Sequence, residues 1–520
     1  MKIRVFLLIS VLLLSSSAFA QLTSNERRGR QIFLRGVSPS GREITGRIGD
    51  IDVPASAASC SGCHGVRAEG KTEAGVTAGG ITWTNLVKPY GHTHTTGRTH
   101  GPFNESSFIR AVVNGVDSSG NQLLVAMPRY NFSPEDMADL IAYLKRIEAD
   151  LDPGLSDSSL TVGLVVPSQG TFADVGAAMK DVFSAYFDDV NSRGGIFNRK
   201  IEMRIADAGT GGAATAITAE DFIHKEQVFA FVGGLSAGAD DQIAALARKE
   251  EIPFIGPSTL LPHAETPVNR YLFYLLPGVA EQAVSLVNHA VAKPEFRKAR
   301  AAVVYADNPL AIAAAKAAQE QIKTIGWTSE SKLSYTSATF DGRRVVGELK
   351  SKGAEVVFFF GGDREQSALL TEAAAATWTP NVFVLGVMSG KELPPETIAA
   401  FHDKIFIAFP TVPADISSEG MAEFRALHAK YKFAPRHTAA QLSAFAAAKV
   451  FVEALTRAGR DVTREKLVTT LEGLYNYETG TTPRITFGPN RRIGAAGAHV
   501  VSIDLAEKQF ATASGWVKAY

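Results

Sequence analysis

Five residues, Cys60-Ser61-Gly62-Cys63-His64, carry the most specific chemistry in this chain. They contain the only two cysteines among 520 residues. C-x-x-C-H is the spacing of covalent c-type haem attachment. Thiols one helical turn apart can reach both vinyl groups of one porphyrin, and the next side chain offers an imidazole nitrogen to the iron. A redox dithiol followed by an incidental histidine is the competing reading. With both cysteines engaged by haem, no disulfide is expected.

These residues need helices to position them. Thr23-Ser24-Asn25-Glu26 has capping-box spacing and predicts a helix to about Leu34. A second helix is expected from Ser106 to Val113, stopped by Asn114-Gly115. A third starts at Ser133-Pro134-Glu135-Asp136, with Ser133 as cap and Pro134 in the first turn. Its Met137, Leu140, Ile141, Leu144 and Ile147 form one apolar stripe. On the loop before it, Pro128 holds Met127 extended. The Met127 thioether is thus the candidate second axial ligand; core packing is the competing role. His/Met ligation raises the reduction potential and closes the iron to outside ligands, as an electron carrier requires.

Residues 21–150 resemble class I monohaem cytochrome c, an all-α fold. The resemblance rests on Gly29-Arg30-Gln31-Ile32-Phe33, Cys60-Ser61-Gly62-Cys63-His64-Gly65, Met127-Pro128 and Ile141-Ala142-Tyr143-Leu144. It implies one covalent haem c, with His64 as proximal and Met127 as distal iron ligand. The stretch from Gly36 to Ser59 departs from the pattern and is expected to loop over one haem edge. His92, His94 and His100 cluster with Arg98. They read as a polar loop meeting a propionate, against a second metal site that lacks any carboxylate or thiolate at ligand spacing. Trp83 and Tyr90 are expected as pocket walls.

Lys2 and Arg4, the apolar run Val5 to Leu14, and Ala18-Phe19-Ala20 read as a secretory signal over residues 1–20. An uncleaved anchor is the alternative. No other stretch is expected to span a membrane. Export to the periplasm agrees with haem attachment outside the cytoplasm. The formal charge is zero, and removal of Lys2 and Arg4 leaves 51 basic against 53 acidic residues. No nucleic-acid partner is expected. The mature length exceeds one hydrophobic core.

Residues 151–159 read as a linker rich in turn formers. From Leu160 onward strands alternate with helices: strands 160–167, 201–207, 228–233 and 252–256, then near 301–305, 355–360, 381–385 and 404–408. Helices follow near 417–432, 438–458 and 463–473, then a strand near 499–504. This is an α/β pattern of doubly wound parallel sheets in two lobes over residues 160–520. Ligands of such folds bind beyond the carboxyl ends of strands. There stand the loops 167–171 with Ser168, 233–238 with Ser236 and Ala237, and 256–259 with Ser258 and Thr259. Their hydroxyls and amides suit a small carboxylate. No G-x-G-x-x-G follows the first strand and no P-loop is present.

About residues 160–510 resemble a type I periplasmic binding protein of the branched-chain amino-acid class. The carrying residues are Asn191 to Glu202, the 233–238 loop, Ile252 to Ser258 and Phe360-Gly361-Gly362-Asp363. The resemblance implies two lobes closing on a small solute, with hinges near 275–279, 409–413 and 486–492. It implies a carboxylate held at Ser236, Ala237, Ser258 and Thr259. In that family an acid after the strand at 381–385 neutralises the ammonium. Here Gly386-Val387-Met388-Ser389-Gly390-Lys391 has none. Asp307 or Asp363 could substitute, but an ordinary zwitterionic amino acid is not expected as ligand.

Three functions follow. An exported cytochrome with a solute-binding module would pass one electron to a periplasmic redox partner. A receptor for an ABC permease would carry the cytochrome as an accessory. A haem peroxidase needs an open iron, which Met127 would fill, and no nucleophile–base constellation stands elsewhere; no enzymatic activity is expected. The attachment chemistry is directly testable. Haem-stained denaturing gels should show covalent haem in the native chain and none after Cys60→Ala with Cys63→Ala.

Overall fold

The computed structural model describes residues 22–73, 75–94, 97–208, 212–236, 238–263, 267–327, 329–389, 399–504 and 509–520. The leader at 1–20, Ala237, Gly390 and Lys391 lie outside the described residues. The chain divides into two compact units, Met1–Leu151 and Asp152–Tyr520.

In the first unit, α1 (Ser24–Arg35) is opened by the expected capping box. The Thr23 amide donates to Glu26 Oε2 at 2.6 Å, and the Glu26 amide donates to Thr23 Oγ1 at 3.3 Å. The insertion after α1 forms a hairpin, β1 (Thr45–Ile48) and β2 (Ile51–Pro54). One helical turn, α2 (Cys60–His64), follows. Then come the paired β3 (Lys71–Glu73) and β4 (Val76–Ala78), the short α3 (Trp83–Leu86), and the paired β5 (His92–Thr93) and β6 (Thr99–His100). Helix α4 (Glu105–Asn114) is opened by a reciprocal Asn104–Ser107 cap and closed by Gly115. Strand β7 (Arg129–Tyr130) lies antiparallel to β1, and α5 (Pro134–Arg146) starts from Ser133.

Helices α1 and α5 pack through the apolar face holding Ile32, Phe33, Leu140 and Leu144, all buried. Gly29 sets how closely they approach: a Cβ there would stand 1.9 Å from the Asp139 carbonyl oxygen. Beside it, Arg28 grips the Asp139 carboxylate with two bonds of 2.6 and 2.9 Å.

The second unit opens with β8 (Ser159–Val166), α6 (Ala173–Ser192), β9 (Lys200–Asp207), α7 (Gly212–Asp221), β10 (Ala230–Val232), α8 (Asp240–Lys249), β11 (Phe254–Ile255) and β12 (Leu272–Phe273). The strands form a parallel sheet in the order β12-β11-β10-β8-β9. The other lobe holds α9 (Val279–Ala292), β13 (Ala301–Ala306), α10 (Pro309–Thr324), β14 (Ser329–Tyr335), α11 (Gly342–Ser351), β15 (Val356–Phe360), α12 (Asp363–Ala375), β16 (Asn381–Leu385) and β17 (Ile405–Phe409). After α13 (Ser418–Tyr431), α14 (Thr438–Ala458) and α15 (Arg464–Glu472), the chain ends on β18 (Gly497–Asp504) and β19 (Gln509–Lys518). The second sheet runs β14-β13-β15-β16-β17-β18-β19, parallel as far as β17 and antiparallel over the last two strands. Burial on both faces explains the unbroken apolar run Val356-Val357-Phe358-Phe359-Phe360 of β15, every residue of which is buried.

Three details go beyond the sequence expectations. Residues 152–158 are fastened to the second unit. Asp152 caps the Arg464 amide at 2.6 Å, Leu155 is buried, and the Ser156 carbonyl accepts from Arg199 at 2.6 Å. Residues 486–492 pack on the first lobe, with Phe487 against the Phe273 ring at 5.2 Å; Ile493 bridges Tyr274 before the chain enters β18. Helix α14 is long and apolar enough to cross a membrane by composition. It is a core helix: its Phe445 and Phe451 are buried and meet Tyr186 and Phe187 of α6 at 5.4 and 6.2 Å.

The α1–α5 crossing gives the first stability test. Gly29→Val forces the helices apart at backbone, where no side chain can yield. It should destabilise the first unit by about 1–3 kcal/mol, seen in calorimetry as a lower midpoint for that unit's transition alone.

Candidate functional site

The first unit holds a cavity of about 640 Å3, within the range of about 300–1,000 Å3 usual for small-molecule and cofactor sites. Cys60, Cys63 and His64 line it, as do Met127 and Pro128. Phe33, Phe108, Val112, Leu140 and Leu144 supply apolar walls from α1, α4 and α5. Trp83 and Tyr90 were both expected as walls, and neither is among the lining residues: Trp83 stands behind the lining residue Phe108, edge-on at 6.0 Å, and Tyr90 is 82% exposed. Cys60 and Cys63 are not joined in a disulfide.

The end of α2 fixes the imidazole. His64 is buried, and its Nδ1 lies 2.7 Å from the Gly79 carbonyl oxygen. A carbonyl only accepts, so Nδ1 carries the proton and Nε2 keeps its lone pair. Burial pushes the His64 pKa down against that hydrogen bond, which favours the neutral ring a metal needs. A thiol pair, a neutral imidazole and a thioether around one apolar cavity fit a covalently attached porphyrin.

The histidine cluster forms another wall. His92, His94, Arg98 and His100 all line the cavity. His94 lies 4.6 Å from His92 and 5.2 Å from His100, ring centre to ring centre. Arg98 donates to Asp117 at 2.5 Å and to His94 Nε2 at 2.7 Å. Burial first, then the Arg98 charge, pushes the His94 pKa down to about 4. One guanidinium and three imidazoles with a single buried carboxylate, Asp117, make a wall suited to an anionic haem edge. Among the described residues, the one set of three donors within 4.8 Å of one another is Glu220, His224 and Glu250. Lys249 already bridges both glutamates at 2.9 and 3.4 Å.

In the second unit the candidates divide between the two sheets. Ser236 is buried, and its hydroxyl donates to the Ser258 carbonyl at 3.4 Å. The Ser258 amide donates to the Gly234 carbonyl at 2.9 Å, so two carboxyl-end loops are locked together. Thr259 Oγ1 accepts from the Leu261 amide at 2.9 Å. This loop reaches the other lobe: Leu260 and Leu261 pack against its core, and the Leu260 carbonyl accepts from Val279 at 2.9 Å. Ser168 is exposed, with its amide and hydroxyl both turned to Asp207. Asp307 is exposed at the end of β13; Asp363 is exposed and lines a groove with Asp341, Arg343 and Arg364.

The structure adds a group the sequence reading passed over. Tyr335, at the end of β14, is buried, and its hydroxyl has no hydrogen-bond partner among the described residues. A Cβ on Gly361 would meet that hydroxyl at 1.9 Å, and a Cβ on Gly362 would meet Glu365 Oε2 at 2.7 Å. Glu365 and Gln366 are buried beside them, and the Gln366 side-chain oxygen is also unpaired. Burial and then the Glu365 charge raise the Tyr335 pKa. The phenol therefore stays a proton donor at the carboxyl edge of the second sheet. The Gly361-Gly362 pair was the only signal in the sequence.

Comparison with known proteins agrees with both architectures. A periplasmic binding protein family model matches residues 159–508, and a cytochrome c family model matches residues 55–148. The chain belongs to the periplasmic binding protein family and carries a cytochrome c domain ahead of that module. The cytochrome c domain implies covalent haem c. Among curated relatives is Leu/Ile/Val-binding protein homolog 8 of Brucella suis, 26% identical over 370 residues, covering 66% of this chain and 90% of the relative. Homolog 7 of Brucella abortus is 24% identical over 323 residues, covering 60% and 80%. Similar solved structures include a putative branched-chain amino acid ABC transporter from Rhodospirillum rubrum (TM-score 0.54, 17% identity, 68% of this chain and 99% of that one). Another is a branched chain amino acid ABC transporter from Thermus thermophilus with bound valine (TM-score 0.53, 19% identity, 70% and 97%). These likenesses establish the fold.

Proposed function

We propose that this chain is an exported, non-enzymatic c-type cytochrome whose second unit binds a small solute. The observation that carries the electron-transfer half is one cavity shared by Cys60, Cys63, His64 and Met127. Cys60 and Cys63 would hold the porphyrin, with His64 and Met127 on its iron. Bound there, haem c supplies a one-electron couple whose potential a methionine ligand raises. The Gly79 carbonyl holds the His64 ring in the tautomer that leaves Nε2 available. Phe33, Phe108, Leu140 and Leu144 give the pocket apolar walls, and Arg98 would supply a charged hydrogen-bond donor to the haem's carboxylates. The oxidised holoprotein should show the weak far-red sulfur-to-iron band. Met127→Ala should remove it and lower the potential; an unchanged spectrum would transfer the role to another donor.

Ser236, Ala237, Ser258 and Thr259 are the proposed carboxylate receptor, with Ser168 at its margin. The lock between the 233–238 and 256–259 loops supports this reading, since it holds two strand-end loops side by side. A charge-assisted hydrogen bond contributes about 1.5–3 kcal/mol. Ser258→Ala with Thr259→Ala should therefore weaken solute binding at least about tenfold in calorimetry.

The favoured solute is a carboxylate without an ammonium group, because Val387, Met388 and Ser389 bring no acid to the loop after β16. A thermal-shift screen should rank such carboxylates, or neutral polar compounds, above leucine, isoleucine and valine. Micromolar binding of any of the three overturns this ranking. The acid to remove next would then be Glu365, ahead of the exposed Asp307 and Asp363.

The second reading is a periplasmic receptor for an ABC permease with the cytochrome as accessory, and family membership over residues 159–508 supports it. A permease and ATPase encoded beside this gene would favour it. A neighbouring dehydrogenase would favour a redox partner.

A further inference from the structure

Of the insertion between α1 and α2, residues 36–59, which was expected to loop over one haem edge, Ser59 beside Cys60 alone is among the residues lining the cavity. The insertion is nevertheless tied to the strand that follows Met127. β1 pairs with β7 through Gly46 opposite Tyr130 and Arg47 opposite Arg129. Asn131 fastens the end of that pairing: its amide donates to the Thr45 carbonyl at 3.1 Å, and its side-chain oxygen accepts from the Thr45 amide at 2.8 Å. Arg42 donates to the Asn131 carbonyl at 2.8 Å. Gly46 rests on the methionine loop itself. A Cβ there would stand 3.0 Å from Pro128 Cβ and 3.0 Å from the Tyr130 ring.

The loop is also gathered from within. The Met127 amide donates to the Leu124 carbonyl at 3.0 Å. The Arg129 guanidinium donates to the carbonyls of Leu123 at 3.1 Å, Leu124 at 3.3 Å and Met127. Leu124 and Val125 on this loop are 56% and 66% exposed, so apolar burial contributes little to holding their side of the loop down. At its other end the hairpin runs into the attachment helix. The Ala55 amide donates to the Ile44 carbonyl at 2.8 Å, and the Tyr130 hydroxyl donates to the Ala58 carbonyl at 2.5 Å, two residues before Cys60.

We propose that the β1–β2 hairpin is a brace that holds the Met127 loop closed over the haem pocket. It positions an iron ligand and touches no reacting atom. The proposal rests on the reading of Met127 as the distal ligand. A thioether is a soft, neutral donor, so its occupancy depends on how rarely the loop opens. Each hairpin bond to β7 lowers the open fraction. An outside ligand binds the open form alone, so its apparent affinity rises in proportion to that fraction.

Cyanide titration of the oxidised holoprotein, followed with the far-red band, tests this. Gly46→Val drives a side chain against Pro128 and should raise the apparent cyanide affinity at least tenfold while weakening the band. Asn131→Ala, whose side chain lies outside the cavity lining, should act in the same direction by at least threefold. Met127→Ala sets the ceiling: it should abolish the band, and adding Gly46→Val to it should change cyanide affinity no further. Native affinity and band in both Gly46→Val and Asn131→Ala, with Met127→Ala still opening the iron, overturn the brace alone. An unchanged band in Met127→Ala overturns the ligand assignment and the brace with it. If Gly46→Val fails to mature as holoprotein, Asn131→Ala decides.

Discussion

On the proposed reading, a porphyrin held by one short motif would also have to be met by a donor from a distant part of the chain. That constraint organises the first unit. The motif fixes its own geometry: α2 is a single turn, and His64 is oriented by one hydrogen bond to Gly79. Met127 has no such local device. It lies on a loop between α4 and β7 and is placed by what surrounds it: the α5 cap at Ser133, the carbonyls gathered by Arg129, and the sheet made with the insertion. The α1–α5 crossing at Gly29 supports all of this, because the same helices supply Phe33, Leu140 and Leu144 to the cavity.

The second unit solves a different problem. Parallel strands are buried on both faces, so only their carboxyl ends can meet a solute. Each lobe presents a different chemistry there. The first lobe offers serine and threonine hydroxyls and amides already bonded to one another. The second offers a buried phenol, a buried carboxylate and a buried amide oxygen around Gly361-Gly362. A buried hydroxyl left unpaired costs free energy, and a cleft that closes on a polar solute removes that cost. The loop at 260–261 packs on the other lobe's core, so the first lobe's strand-end loops are tied to the second lobe.

Much of this was legible in the sequence where the signal is local. C-x-x-C-H pointed to the cytochrome c domain, and Thr23/Glu26, Ser133-Pro134 and Gly115 named helix ends from capping chemistry. Buried strands such as β15 announced themselves as apolar runs. Edge strands did not. β14, Ser-Glu-Ser-Lys-Leu-Ser-Tyr, pairs on one side only and carries polar residues that read as loop. β19, rich in Ala, Thr and Ser, was passed over for the same reason. The hairpin had a usable signal, Ile48-Gly49-Asp50-Ile51, a two-residue Gly-Asp turn between apolar residues, with Gly49 at φ +59°. Its partner β7 is two residues long, and no periodicity can reveal a strand that short. Tyr335 and Glu365 were hidden because burial on the carboxyl edge is a property of the packed sheet and leaves no mark in composition.

Joining an electron carrier to a solute receptor in one chain does not by itself couple them. Coupling requires that solute affinity differ between the ferric and ferrous forms, and thermodynamic linkage then shifts the haem potential by the same free energy. For a one-electron couple, a tenfold difference in affinity corresponds to about 59 mV. Equal affinities in both states leave the potential fixed, whatever the solute concentration. The two functional readings separate on this point. A receptor that delivers solute to a permease needs no redox dependence, and its haem would titrate identically with and without solute. A cytochrome regulated by its solute must show the shift, and the sign of that shift states which form the solute favours.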